Sequence, residues 1–263
     1  MIVVMLMMIV SGIGLALTVS RPQLVTPAWL RLGGVIALVL LAVAFVLGRA
    51  SGDRSARAIQ FVHLFTALLF AAQVIAAQQG RGGTQRALAF GGWLAAAFIA
   101  MNLVLRSTLP SAAFGAVDAG FKLAATAAAT LVGGGLLGCV LLTMLLGHAY
   151  LSSGDRMTQR PFGNLVVLFA VLLALRAALA IVGAVHYFSG AEPHGAHVWD
   201  VTMIVARFGV GLLVPGVFTW MIHDCVRRAA NQSATGILYV TLILVFIGEG
   251  AALTLMKSTG LAF

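Results

Sequence analysis

Three charged residues lie well inside long apolar stretches of the sequence, away from the ends, where charges are rare. Arg176, Arg207 and Glu249 occur within the apolar runs 164–188, 198–225 and 234–256. A charged side chain that faces lipid is energetically costly, so each of these residues must face protein or water and find a partner. Charges in such positions mark an ion pathway, a ligand site or a structural ion pair, and the three residues form a candidate intramembrane charged group.

Two of these residues are predicted to meet. Arg207 and Glu249 lie on consecutive spans, about nine and seven residues from the same membrane face. Because consecutive spans run antiparallel, we predict that the two side chains form a buried ion pair. Arg176 lies near the middle of its own run and has no partner in this prediction. We expect it to bind an anion: a haem propionate, a lipid phosphate, a quinone oxygen or an acid of a partner subunit.

Four histidines form a second group of candidate site residues. Depth along the runs places His63 and His186 near the membrane face that holds the N-terminus, and His148 and His223 near the opposite face. Two neutral imidazoles from different helices can ligate the iron of a b-type haem, so each pair is a candidate haem site. The alternative interpretation is that these histidines are interfacial or hydrogen-bonded within the protein and bind no metal.

The composition identifies the class of protein that must position these residues. The chain has 263 residues, of which 61% are hydrophobic and 9% are charged, whereas soluble domains contain about 25% charged residues. We therefore predict one polytopic membrane domain over residues 1–263. The net charge of +9 does not indicate nucleic-acid binding, because most Lys and Arg residues lie between apolar runs, where topology and lipid head groups account for them.

Eight apolar runs are long enough to cross a bilayer, which needs about 20 residues of helix. Because helices satisfy their own backbone hydrogen bonds in lipid, we predict an all-α integral membrane protein, a bundle of about eight transmembrane helices with short loops. The predicted spans are 1–19, 30–47, 58–77, 87–105, 123–147, 164–188, 198–225 and 234–256.

The distribution of basic residues predicts the orientation. The connections on the face opposite the N-terminus hold eight Lys and Arg residues, and those on the N-terminal face hold six. The connection 189–197 has no Lys or Arg, and its His194 and His197 lack a third metal ligand and are interpreted as a surface pair. Since cytoplasmic loops are enriched in basic residues, we predict that both termini are periplasmic. The Ala- and Arg-rich composition is typical of a GC-rich bacterium and indicates its cytoplasmic (inner) membrane.

Three classes of function remain open. The first is a membrane subunit of a respiratory or photosynthetic electron-transfer assembly that binds haem b or quinone, with the lipid bilayer and other membrane subunits as partners. The second is a small transporter or channel whose path uses the intramembrane charged group. The third is a purely structural subunit. We favour the first because the histidines pair by depth. The sequence has no phosphate-binding glycine loop, Ser–His–Asp arrangement or zinc signature, so any enzymatic role is at most that of a redox subunit.

Overall fold

The computed structural model describes residues 1–50, 57–108, 116–153, 158–189 and 198–263. These residues form helices joined by short connections, and no strand occurs among them. The helices are α1 (Ile2–Val19), α2 (Pro27–Ala50), α3 (Arg57–Gln78), α4 (Gly82–Thr108), α5 (Ala116–Ser153), α6 (Arg160–Ser189), α7 (Val198–Val205), a π-helical segment (Ala206–Leu213), α8 (Val214–Arg227) and α9 (Asn231–Thr259).

The predicted all-α membrane bundle is confirmed. Among the described residues, eight helical spans are long and apolar enough to cross a membrane, with α7, the π-helical segment and α8 forming the seventh span, Val198–Arg227. Most helices extend beyond the predicted apolar runs; α5, for example, has 38 residues. The extension reflects polar residues at the helix ends, which keep the helical hydrogen bonds as the chain enters the lipid head groups.

Helices α1 and α5 lie at the centre of the bundle. Helix α1 packs against α2, α4 and α5, and α5 also packs against α6 and α9. Small residues permit the contact between α1 and α5, because a Cβ atom on Gly12 would collide with the carbonyl oxygen of Gly134 and with the backbone of Gly138. Glycines at a helix crossing allow the two backbones to approach closely, which favours association in lipid.

The outer surface of the bundle carries large apolar side chains. In a membrane these side chains contact lipid, so their exposure is what a spanning bundle requires. Examples, taken from four different spans, are Phe61, Leu64, Val171, Val185, Val205, Trp220 and Ile243. The core between the helices is equally apolar, so the buried charges stand out against it.

The seventh span departs from regular α-helix in its middle. Over Ala206–Leu213 the helix widens, and the Val214 N–H donates to the Gly209 carbonyl five residues earlier. Pro215 follows directly; proline has no N–H to donate, and its ring clashes with the preceding turn of a regular α-helix. The wider π-helical turn accommodates the proline, and π-helical turns occur frequently at functional sites.

Candidate functional site: a buried charged cluster

Three spans bring one charged residue each to a common point inside the bundle. Arg176 lies on α6, Arg207 in the π-helical segment and Glu249 on α9. Each lies within about six residues of the middle of its span, which is less than roughly 9 Å along the helix axis. The three side chains, named here the charged cluster, therefore lie within the hydrocarbon region of a bilayer about 30 Å thick.

Glu249 bridges the two arginines. The Arg176 Nε donates to Glu249 Oε1 at 3.0 Å, and the Arg176 Nη2 donates to Glu249 Oε2 at 3.0 Å. The Arg207 Nη1 donates to Glu249 Oε1 at 2.9 Å. The side chains of all three residues are at most 1% exposed. Arg176 thus forms a two-point contact with the carboxylate, which is the strongest arrangement for this pair of groups, whereas Arg207 forms a single contact.

Glycines make room for the charged cluster. A Cβ atom on Gly133 of α5 would collide with the Glu249 Oε2, so glycine is required where α5 passes the carboxylate. One residue before Glu249, Gly248 meets Gly211 of the π-helical segment so closely that a Cβ on either would overlap the other's backbone. These two close approaches hold α9 against its neighbours at the level of the carboxylate.

The charged cluster has an excess of positive charge and of hydrogen-bond donors. Two guanidinium groups and one carboxylate leave a net charge of +1. The Arg176 Nη1, the Arg207 Nε and the Arg207 Nη2 are buried and have no hydrogen-bond partner among the residues that the structure describes. A buried donor without an acceptor costs free energy, and a charged one costs more. The charge and the free donors together fit a monovalent anion beside Arg207.

The predicted contact between Arg207 and Glu249 is present, but the prediction that Arg176 lacks a partner within the chain is wrong. Arg176 binds the same carboxylate. Depth along the chain did not reveal this, because it fixes the height of a residue in the membrane and not the direction in which its side chain points around the helix. The anionic group expected beside Arg176 is thus the carboxylate of Glu249 on α9.

The structure places the members of each predicted histidine pair on helices that do not pack extensively against each other. His63 is on α3, which packs against α2 and α4, whereas His186 is on α6, which packs against α5, α8 and the π-helical segment. The His63 Nδ1 lies 3.0 Å from the Ile59 carbonyl oxygen, and its ring packs against Phe45. The His186 ring packs against Phe121 of α5.

The other pair is similarly separated. His148 lies near the end of α5 and His223 on α8, and both side chains are exposed. Helix α8 packs against α6 and α9. Within the described ranges, no group of three or more His, Cys, Asp or Glu side chains is arranged to hold a metal ion. His194 and His197 lie outside the described residues. The members of each predicted pair thus lie on helices that do not pack extensively against each other, and haem ligation by these histidines stays a prediction.

The π-helical segment and the glycine contacts around Glu249 were missed by the sequence prediction. A signal for the first was present, since Pro215 stands in the middle of an apolar run with Gly209 and Gly211 before it. The signal for the second is the density of glycine and alanine in the fifth and seventh spans. A glycine on a neighbouring helix leaves room for a buried charged side chain at the point where the helix passes it.

Comparison with known proteins gives no relative from which a function could be transferred. No protein-family model matches the chain, and no curated protein or solved structure matches it. The fold and the charged cluster together define a multi-pass membrane protein with a buried, positively charged site.

Proposed function

We propose that the protein transports a small monovalent anion across a membrane and that Arg207 binds the anion. The observation that carries this proposal is the charged cluster, whose net charge of +1 and unpaired guanidinium nitrogens lie at the middle of the bundle. One bound anion with a single negative charge neutralises the cluster and accepts from the free donors. Charges within membrane spans commonly mark such substrate paths.

The two arginines have different roles in this proposal. Arg176 is held by two hydrogen bonds to Glu249, and the pair is electrically neutral. Arg207 has one hydrogen bond to Glu249 and two free nitrogens, so it can exchange its contact with the carboxylate for a contact with an arriving anion. Glu249 then remains paired with Arg176 and is never left as an isolated buried charge, which would be strongly unfavourable.

The seventh span is suited to move during such an exchange. In the most apolar stretch of this span only 22% of the residues are buried, compared with 78% in the corresponding stretch of α5. A groove of about 670 Å³, open to the surface of the bundle, lies between α6 and the π-helical segment and is lined by Ala177, Ile181, Phe208 and Leu212 among others. This groove leaves space for the π-helical segment to shift, and such a shift would open the charged cluster to one membrane face.

The proposal also includes the membrane in which the protein lies and its orientation there. We place the protein in a bacterial cytoplasmic membrane with both termini periplasmic, because the connections on the opposite face hold more Lys and Arg residues. In that orientation Arg207 and Glu249 lie on the periplasmic side of the middle of the seventh and eighth spans, and Arg207 is five to six residues from the centre of its span. An anion would therefore reach it over a shorter path from the periplasm.

Transport in proteoliposomes tests the proposal. Vesicles containing the purified protein are given chloride, nitrate or acetate in turn, and anion entry is followed with a trapped fluorescent indicator or a radiolabelled anion. We expect entry of at least one of these anions, with Arg207→Gln abolishing it. Arg228→Gln is the matched control, because Arg228 pairs with Asp224 at the membrane surface and is 75% exposed. Folded protein that moves none of the three anions, or an Arg207→Gln variant as active as the original protein, would reject the proposal.

A membrane subunit of an electron-transfer assembly, with haem b or quinone as cofactor and other membrane subunits as partners, stays a second proposal. The observation that favours it is the hydrogen bond of His63. A carbonyl oxygen only accepts, so the neutral imidazole carries its hydrogen on Nδ1 and leaves Nε2 with a free lone pair, the form that ligates iron. A Soret band that shifts on reduction and is lost in His63→Ala would support this function. A colourless folded protein would show that no haem is bound.

A further inference from the structure

We propose that the groove between α2 and α3 is a binding site for one anionic phospholipid whose head group carries free hydroxyls, of the phosphatidylglycerol type. This inference concerns a different part of the molecule from the charged cluster and does not depend on anion transport. The groove, named here the α2–α3 groove, has a volume of about 690 Å³ and is lined by Leu38, Leu41, Phe45, Gln60, His63 and Ala67, among others.

The α2–α3 groove is polar at one end and apolar along the rest of its length. Gln60 and His63 lie in the first two turns of α3, close to the membrane face where α2 ends at Ala50. Leu38 lies 12 residues before Ala50, which corresponds to roughly 18 Å along the helix. That distance reaches about to the middle of a bilayer whose hydrocarbon core is roughly 30 Å thick. A lipid has the same layout, with its head group at the surface and its chain directed inward.

A positive charge stands at the polar end. A second, smaller cavity shares Phe45, Gln60 and His63 with the α2–α3 groove and adds Arg49, in the last turn of α2. The Arg49 guanidinium carbon lies 5.5 Å from the centre of the Phe45 ring, an arrangement in which the aromatic face attracts the cation. This contact holds the charge beside the head-group end of the groove, where the phosphate of a lipid would lie.

The His63 imidazole favours a ligand that can donate a hydroxyl hydrogen. Its Nδ1 is occupied by the Ile59 carbonyl oxygen at 3.0 Å, so in the neutral imidazole the Nε2 can only accept a hydrogen bond. The glycerol head of phosphatidylglycerol donates hydroxyl hydrogens, whereas the trimethylammonium group of phosphatidylcholine has none to donate. The Gln60 amide both donates and accepts, so it can contact either the phosphate or a hydroxyl.

Other occupants fit the polar end less well. A quinone ring presents only carbonyl acceptors to His63, and it has no negative charge for Arg49. A haem would need a second axial ligand, and His63 is the one histidine among the described residues that line the α2–α3 groove. The phospholipid satisfies Arg49 and His63 together and fills the apolar length with an acyl chain.

Native mass spectrometry of the full chain, released from detergent micelles, measures the binding. The probes are dioleoyl-phosphatidylglycerol and dioleoyl-phosphatidylcholine, titrated separately and in competition. We expect one phosphatidylglycerol to bind about tenfold more tightly than phosphatidylcholine, the ratio that one charged hydrogen bond supplies. Arg49→Gln and His63→Leu should each remove most of this preference.

Conservative variants separate recognition from folding. Arg49→Lys keeps the charge and His63→Gln keeps an acceptor oxygen, so both should retain the preference for phosphatidylglycerol. Arg81→Gln, an exposed arginine at the other membrane face, should behave as the original protein. Equal affinity for the two lipids, a preference that survives both Arg49→Gln and His63→Leu, or displacement of the bound lipid by decylubiquinone at equimolar concentration would each overturn the assignment.

Discussion

Removal of the carboxylate in the charged cluster should destabilise the protein more than removal of either arginine. Glu249→Gln leaves Arg176 and Arg207 buried together with two positive charges and no counterion, and the amide offers them one acceptor oxygen where the carboxylate offered two. Breaking a buried ion pair on one side typically costs about 3–5 kcal/mol, because the remaining charge is uncompensated. Here two like charges remain, so we expect the upper part of that range.

The arginine substitutions should cost less and in a definite order. Arg207→Gln removes one hydrogen bond to the carboxylate, a loss of about 1.5–3 kcal/mol, but it leaves the neutral Arg176–Glu249 pair with both of its contacts. Loss of the excess charge offsets part of that cost. Arg176→Gln leaves Glu249 with the single contact to Arg207. The expected order of destabilisation is therefore Glu249→Gln, then Arg176→Gln, then Arg207→Gln.

Thermal unfolding of the purified variants in one detergent measures this order. For a chain of this size, 1 kcal/mol corresponds to about 2–4 °C in Tm, so Glu249→Gln should lower Tm by on the order of 10 °C. The double variant Arg207→Gln/Glu249→Gln should recover part of that loss, since only one unpaired charge remains. The control Asp224→Asn breaks an exposed pair and should leave Tm nearly unchanged. A Glu249→Gln variant as stable as Arg207→Gln would refute the electrostatic reasoning.

Two further predictions concern packing and orientation. Gly248→Ala should destabilise the protein by about 1–3 kcal/mol, because the added methyl group would overlap Gly211. Gly250→Ala, two residues further along α9 and with open space around it, should be neutral or slightly stabilising. Equal Tm values for the two variants would contradict the close contact between Gly248 and Gly211. For the orientation, a cysteine introduced as Ser189→Cys at the exposed end of α6 should react with a membrane-impermeant reagent applied from the periplasm; reaction only after the membrane is opened would reverse the proposed topology.

The sequence predicted the class of fold because that class depends on length and composition. Apolar runs of about 20 residues must be helices in lipid, and each predicted run lies within, or within one residue of, a helical element of the structure. The helix ends were predicted less well, since polar residues at the membrane surface continue a helix without adding to an apolar run. The first and last turns of α5, for example, lie outside the predicted span.

The charged cluster was predicted only in part, and the reason is geometric. The position of a residue along a span gives its depth, because each residue adds about 1.5 Å, and depth alone correctly suggested that Arg207 meets Glu249. The direction in which a side chain points depends on how the helices are rotated and which of them are neighbours. The hydropathy of a run reveals neither the rotation of its helix nor its neighbours, so the second partner of Glu249 could not be identified from the sequence.

The prediction of two histidine pairs depends on depth alone, as did the prediction that Arg176 lacks a partner. Residues at equal depth share a plane through the bundle, but a plane crossing eight spans contains many positions that are not adjacent. His63 and His186 share a membrane face and lie on α3 and α6, which pack against different neighbours.

Glycine contacts supply the missing information about adjacency. A Cβ atom would clash at Gly133 with the Glu249 side chain and at Gly211 with Gly248, so these glycines report which helix passes the carboxylate and on which side. In an apolar bundle, a buried charge needs both a counterion and space for its side chain. A glycine on a neighbouring span at the depth of a buried charge is therefore a stronger guide to that charge's surroundings than the depth of the other polar residues.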